Sequence, residues 1–573
     1  MTSSFAPRLL LVTLLLPAVA AADLSITGVD GDIERNVRAF ATIATEPCDS
    51  EERVVRRRFR KLEEEARESL EPFGLYNATI TTALSRDESC WRASVEIDPG
   101  APVLLRNVDI RIDGAAASDS AFQPLLANPR LAPGTPLLHS EYDRLKRTLQ
   151  VRAADRGYLE ARFSASQLDI WPAENAADIT LHLDSGPRYR IGDIDQDQNF
   201  LEPEIVAGYL DLEPGTPYDS SDIVRAHRDL SDSAYFSHVE IRPDLSRASG
   251  DLVPIRISLR PGTRIEYTVG VGVSTDTGPR FRGGFRNNRV NRRGHRLTAD
   301  LGASPVIQGV TTEYRIPLED PRREWFSVTG AVQNEDTDTF NSEEQRLGVR
   351  WTKAMTETWL RTLSVDMSNE SFNVGETVDT SRAVIPGIMF DRKVADRDVF
   401  PLRGHRLGAE LRGTDESLGS TMTFAQATAW FRWVRALGTG NRILARVNGG
   451  VTASRNFATL PPSVRFFAGG DESVRGFDYN SLGPKDADGN VIGGTNLLTA
   501  SLEYERHLKG HFYGAVFVDA GNAFDDADFE AEVGAGIGVK WRSPLGPLRL
   551  YLGYPLTQDD ENLRVHLRLG ADL

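Results

Sequence analysis

Phe466-Phe467-Ala468-Gly469-Gly470-Asp471-Glu472-Ser473-Val474-Arg475-Gly476-Phe477 is the stretch on which the reading of this chain turns. It sets one arginine between a small hydrophobe and a glycine–aromatic pair, inside a long polar loop over residues 456–495. Just past that loop, Leu498, Ala500, Leu502 and Tyr504 alternate with Thr499, Ser501, Glu503 and Glu505. A period of two marks a strand with two unlike faces.

The same period runs through the whole C-terminal half. Ile265, Tyr267, Val269, Val271 and Val273 oppose Glu266, Thr268, Gly270 and Gly272. The final segment sets Leu563, Val565, Leu567 and Leu569 against Arg564, His566 and Arg568. Segments of roughly ten residues, apolar on one side and polar on the other, suit strands with lipid outside and water inside. About sixteen such segments fit between 264 and 569, an even count that suits a closed antiparallel barrel. Residues 334–344 and 369–381 read as polar connections between them. A soluble β-sandwich also alternates, but it buries its apolar face in a single core. The number of segments and an export signal favour the barrel.

That signal occupies residues 1–22: Arg8 supplies a positive charge, residues 9–16 an apolar run, and Ala18-Val19-Ala20-Ala21-Ala22 a small-residue cleavage region. Beyond it no eighteen-residue apolar run occurs, so no membrane-spanning helix is expected. Lys+Arg 66 against Asp+Glu 82 gives a net charge of −16, which argues against nucleic acid as a partner. The two cysteines, Cys48 and Cys90, read as a disulfide in an oxidising compartment, with two free buried thiols as the alternative.

Residues 23–262 carry a repeat with a period of roughly 80 residues. Pro133-Gly134-Thr135-Pro136 precedes an amphipathic helix (Tyr142, Leu145, Leu149, Ala153), and Gly157-Tyr158-Leu159 opens a strand. Pro214-Gly215-Thr216-Pro217 likewise precedes a helix (Ile223, Ala226, Leu230). The first copy has a long charged helix over 51–70 that ends at Phe73-Gly74-Leu75-Tyr76, with the glycine where a helix end needs a left-handed residue. The unit reads strand-helix-helix-strand-strand.

Parity supplies the arginine with partners. Over 512–521, Phe512, Val516, Val518 and Ala520 form the lipid-side set, which turns Asp519 into the lumen with Tyr513 and Phe517. Glu503 points inward on the preceding strand. A planar guanidinium pairs with carboxylates in bidentate fashion, so a loop folded back into the lumen would let Arg475 lock against Asp519 and Glu503. Solvent on an extracellular loop is the arginine's other option. Gly534-Ala535-Gly536-Ile537-Gly538 has no helix after it and reads as lumen-facing strand, not as a nucleotide loop. Asp486-Ala487-Asp488-Gly489-Asn490 lacks the distal glutamate of a calcium loop and reads as a turn. With the nine histidines scattered, no catalytic residue, metal or cofactor is expected.

Val474-Arg475-Gly476-Phe477 resembles the V/I-R-G-F/Y loop tip of the outer-membrane protein assembly factors, the family of BamA and TamA. Phe467-Ala468-Gly469-Gly470 also fits, and Phe517-Val518-Asp519 is similar to the family's F-x-D strand motif. Glu503-Tyr504 resembles its E-Y-R strand, with Glu505 where arginine is usual. The repeat resembles the polypeptide-transport-associated (POTRA) domain, with copies over 23–100, 101–186 and 187–262 ahead of a sixteen-stranded barrel over 263–573. Three copies and the ending Arg568-Leu569-Gly570-Ala571-Asp572-Leu573 look most like the TamA branch.

The resemblance implies a non-enzymatic insertase in the outer membrane, acting on unfolded autotransporter-type barrels without nucleotide. It implies periplasmic POTRA domains that take clients or a TamB-like, inner-membrane-anchored partner by strand addition. It further implies a lateral gate between the first strand (264–274) and the last (563–569), at Val269, Gly270, Gly272, Val565, Leu567 and Leu569. The glycines weaken strand structure there. The alternative is a two-partner secretion transporter that exports a polypeptide through the pore. That class carries two POTRA domains and a plug helix.

Overall fold

The computed structural model describes residues 22–87, 90–397, 399–526, 528–543, 546–558 and 563–569. The signal-peptide reading of 1–22 therefore lies, Ala22 aside, outside the described residues. Three small sheets come first. In the first module Trp91–Asp98 is central, parallel to Asp23–Thr27 and antiparallel to Thr79–Arg86. Helices Gly31–Phe40 and Glu52–Leu70 cover it, and Val37, Leu62, Leu70 and Val95 are fully buried between the layers. Apolar residues recur three and four apart on the longer helix, so one stripe meets the sheet and the charges stay in water. Gly74 ends that helical run at φ 76°, the left-handed conformation that costs glycine least. A disulfide joins Cys48, ahead of the long helix, to Cys90, at the entry to the central strand.

The second module repeats the plan, with Ala176–Asp184 between Leu104–Asp113 and Arg162–Trp171. Its helix His139–Asp155 buries Leu145, Leu149 and Ala153 on one face. In the third, the strand order is Arg190–Asp197, Leu252–Pro261, Phe236–Pro243, with helices Pro203–Ala207 and Ser220–Asp232.

From Ile265 onward sixteen antiparallel strands follow one another in sequence order. Val269 and Val271 are 76% and 79% exposed, and they belong to a continuous apolar outer face that only lipid can cover. No helix among the described residues is long and apolar enough to cross a membrane.

Residues 334–344 and 369–381, which read as connections, are mostly strand. Glu324–Asp336 pairs with Phe340–Ala354 across a short turn, and Trp359–Val374 pairs with Thr377–Ala395. Here outward positions are polar (Asn341, Glu343, Ser371, Asn373), so the apolar–polar contrast vanishes while the backbone ladder continues. The strands have left the bilayer, and hydrogen bonding no longer needs a lipid-facing side chain.

Wall height varies around the sheet. The first three strands, Ile265–Ser274, Gly278–Asn287 and Arg296–Ala303, have 10, 10 and 8 residues, whereas Thr377–Ala395 has 19. Each neighbouring pair is hydrogen-bonded from the first strand round to the last, Arg564–Leu569. Among the described residues no ladder joins that last strand to the first, so the sheet has a seam.

Candidate functional site

The loop over 455–495 connects Asn441–Ser454 to Asn496–Lys509. Three backbone bridges tie it to itself, Lys485 to Val491 and two nearer the tip. Phe466 and Gly494 exchange hydrogen bonds of 2.9 and 2.8 Å, and Ala468 and Leu482 exchange two of 2.9 Å. Ala468, Val474, Phe477 and Leu482 form a small buried cluster that gives the tip its own core.

Arg475 is 5% exposed and spends its fork on two walls. Its Nε and Nη2 donate to the two oxygens of Asp519 at 2.7 and 2.9 Å, and its backbone N–H adds a third bond at 3.0 Å. Nη1 donates to Glu503 at 2.6 Å, and Nη2 reaches Ser501 Oγ at 3.2 Å. The guanidinium lies 3.6 Å from the Phe517 ring centre and 4.6 Å from that of Tyr551. Tyr551 in turn donates its hydroxyl to Glu503 at 2.7 Å. Every charge in the group is hydrogen-bonded, the condition under which buried ion pairs are tolerated.

Glycine makes the seat. Gly476 sits at φ +103°, and a Cβ there would come within 3.0 Å of the Tyr554 backbone. A Cβ on Gly534 would stand 1.9 Å from the Arg475 carbonyl oxygen, and one on Gly553 would stand 2.9 Å from Gly476 N. The tip thus lies backbone on backbone. The glycine run at 534–538 is strand, as part of Glu532–Ser543. Asp486 Oδ1 accepts from the N–H groups of Asp488 and Asn490 in a tight turn.

The same loop spans the seam. Gly476 N–H donates to His566 Nε2 at 2.9 Å, and His566 Nδ1 donates to Asp471 at 2.5 Å. Asp471 accepts from Ser274 Oγ at 3.1 Å, and its N–H donates to Asp276 at 2.8 Å. Ser274 ends the first strand and His566 lies in the last. Two strands that share no ladder among the described residues are therefore joined through a loop. Burial and the neighbouring Asp471 push the Asp276 carboxyl, in the turn after the first strand, up to about 6. Ligand atoms of Asp276, Asp471 and His566 lie within 4.8 Å of one another. A cation there would have to displace one of the two bonds that occupy the imidazole.

Of the residues assigned to the seam by sequence, Val269 and Val565 project outward, exposed by 76% and 45%. Gly270 and Gly272 face the other way, and a Cβ on Gly272 would approach Arg280 Nε at 3.2 Å. Leu567 is half-buried, and the side chain of Leu569 lies outside the described residues.

Sequence reasoning missed Tyr551, His566 and Asp471 as parts of the site, and it missed a second charged group. Glu505, noted only as a departure from a motif, is fully buried with Arg442 at 2.5 Å and with Lys540. Arg442 also donates to Pro401 O at 2.6 Å and lies 3.6 Å from the Phe400 ring centre. Inward parity of Arg442, Glu505 and Lys540 on three strands was the available signal.

Known proteins fit this geometry. Residues 268–572 match the Omp85 superfamily domain, and residues 23–99 match the POTRA domain described as TamA domain 1. BamA of Nitratidesulfovibrio vulgaris is 21% identical over 71% of this chain and 53% of its own length. BamA of Neisseria meningitidis serogroup B is 22% identical over 75% of this chain and 63% of its own. The chain thus spans between half and two thirds of these relatives. A crystal structure of BamA from Haemophilus ducreyi lacking POTRA domains 1–3 superposes with a TM-score of 0.69 at 17% identity, covering 82% of this chain and 99% of that one. That likeness establishes a shared fold. POTRA-like modules followed by a sixteen-stranded barrel with an arginine-tipped inner loop make this chain an outer-membrane member of the Omp85 superfamily, the family of BamA and TamA.

Proposed function

We propose that this protein assembles β-barrel proteins in the outer membrane, autotransporter-type clients among them, as a TamA-like subunit. The observation that carries the reading is the seam: among the described residues the first and last strands have no common ladder and are tied through the lumenal loop. Unpaired strand edges template incoming strands, and a client hairpin entering there would gain backbone bonds that water cannot supply inside a bilayer. The Arg475 lock holds the loop while the wall beside it parts. It moves no proton and forms no covalent bond. The POTRA modules take up clients, or a TamB-like partner anchored in the inner membrane, along exposed sheet edges.

The test is a cysteine pair across the seam, one of Val269 or Val271 with one of Val565 or Leu567, in protein reconstituted with an unfolded autotransporter barrel. Oxidation is expected to abolish client insertion and reductant to restore it. Undiminished insertion by the crosslinked protein overturns the reading. Crosslinks from lumen positions to a secreted polypeptide would favour export through the pore.

A further inference from the structure

The outer wall carries an apolar groove of about 770 Å³ near the end of the barrel that bears the 355–358 turn. Trp359, Phe390, Leu407 and Phe431 form its sides, and the small residues Ala409 and Ala429 form its floor. The first strand leaves the POTRA modules at Ile265 and successive strands alternate in direction, so this is the periplasmic end. Two arginines stand in the same outward rows. Arg392 lies opposite both Trp359 and Leu407, and Arg361 lies opposite Phe390.

Neither arginine is ion-paired among the described residues. Arg361 stacks on Trp351 with 5.2 Å from guanidinium carbon to ring centre, and Arg392 on Trp359 at 5.8 Å. The Nε of each is buried without a hydrogen-bond partner. Lys353 on the same wall, by contrast, is neutralised by Glu324 at 2.9 Å. A guanidinium on a lipid-facing surface is costly unless an anion meets it. Glu324, held by Lys353 and Trp351, attracts Arg361 without pairing with it, which leaves room for a lipid phosphate. We propose that Arg361 and Arg392 bind the phosphate of one anionic glycerophospholipid of the periplasmic leaflet, with an acyl chain lying in the groove. Two outward cations on neighbouring strands select a headgroup with net negative charge and repel the ammonium of a zwitterionic one. The small floor residues leave the depth that a chain fills, and the aromatic sides hold it in place.

The test compares wild type with R361Q/R392Q, A429F and R435Q, each extracted from outer membranes in mild detergent with its bound lipid quantified by mass spectrometry. Heat-modified gel mobility verifies that each barrel is folded. Wild type and R435Q, which removes an exposed charge from the same wall, are expected to retain phosphatidylglycerol about tenfold above its share of the membrane. R361Q/R392Q loses that enrichment by removing the headgroup contact. A429F loses it by filling the groove with the charges intact. Absence of enrichment in wild type, its survival in R361Q/R392Q, an equal loss in R435Q, or retention of lipid A instead would overturn the proposal.

Discussion

Two buried charge groups share the strand Asn496–Lys509, and they hold different things. Glu503 faces Arg475, a residue of the loop, with Asp519 completing the group. Glu505, two residues on, faces Arg442 and Lys540, both residues of the wall. The first group has two carboxylates and one cation, the second two cations and one carboxylate. Lys540 also attracts Glu503, so the two groups feel each other. Similar chemistry thus serves a joint in one place and a rivet in the other: one ties a loop to the wall, the other ties strands of the wall to each other.

Each substitution that follows strains that distinction. E505A has the largest expected effect. It removes the carboxylate that Arg442 and Lys540 share, a loss of about 3–5 kcal/mol, read as a lower temperature of barrel unfolding by heat-modified gel mobility. The loop should stay resistant to protease in this variant until the barrel melts. R475A comes next at about 3 kcal/mol, the low end of the same range because Lys540 partly compensates Glu503. Here residues 455–495 should become cleavable while the barrel still migrates as folded. Equal unfolding temperatures for the two variants, with no cleavage in R475A, would erase the difference between joint and rivet.

R475K sharpens it. A lysine keeps the charge but loses the fork that reaches Asp519, Glu503 and Ser501 together, a cost of about 1.5–3 kcal/mol. Cleavage of the loop should fall between wild type and R475A. The smallest effect at pH 4 belongs to D276N, which gains up to about 3 kcal/mol only above pH 6. Asp276 titrates near 6 in the folded protein, above its ordinary value, so folding favours its protonated form. The stability this contributes is full below the ordinary carboxylate range and is lost as pH rises through about 6. D276N mimics the protonated state, so its advantage in unfolding temperature should be greatest above pH 6 and fade toward pH 4. An advantage that grew on acidification would contradict the repulsion between Asp276 and Asp471.

The barrel, the repeat and the arginine with both its carboxylates were legible because each rests on a period: two for strands, roughly 80 for the modules, and parity for Asp519 and Glu503. What stayed hidden lacks a period. His566 and Asp471 meet only because the loop folds back across the seam, and sequence distance says nothing about that. Tyr551 was hidden for a related reason, since an aromatic on a lumen face is unremarkable until a cation lies over it. The outward polar residues at 341, 343, 371 and 373 misled for the opposite reason. Alternation reports lipid, and strands continue where lipid stops.

The unequal height of the wall has a consequence for the membrane itself. At about 3.3 Å per residue, strands of eight to ten residues measure roughly 26–33 Å along their axis. A tilt near 40° leaves about 20–25 Å upright, at or just below the ~25 Å apolar band of outer-membrane barrels. Acyl chains beside the first three strands must shorten, tilt or disorder to meet that edge, while those around Thr377–Ala395 need not. The low side of the wall thus coincides with the edges that share no ladder among the described residues, and any compression of lipid falls on that side. Bilayers of shorter-chain lipid would relieve that compression and hold the barrel more upright.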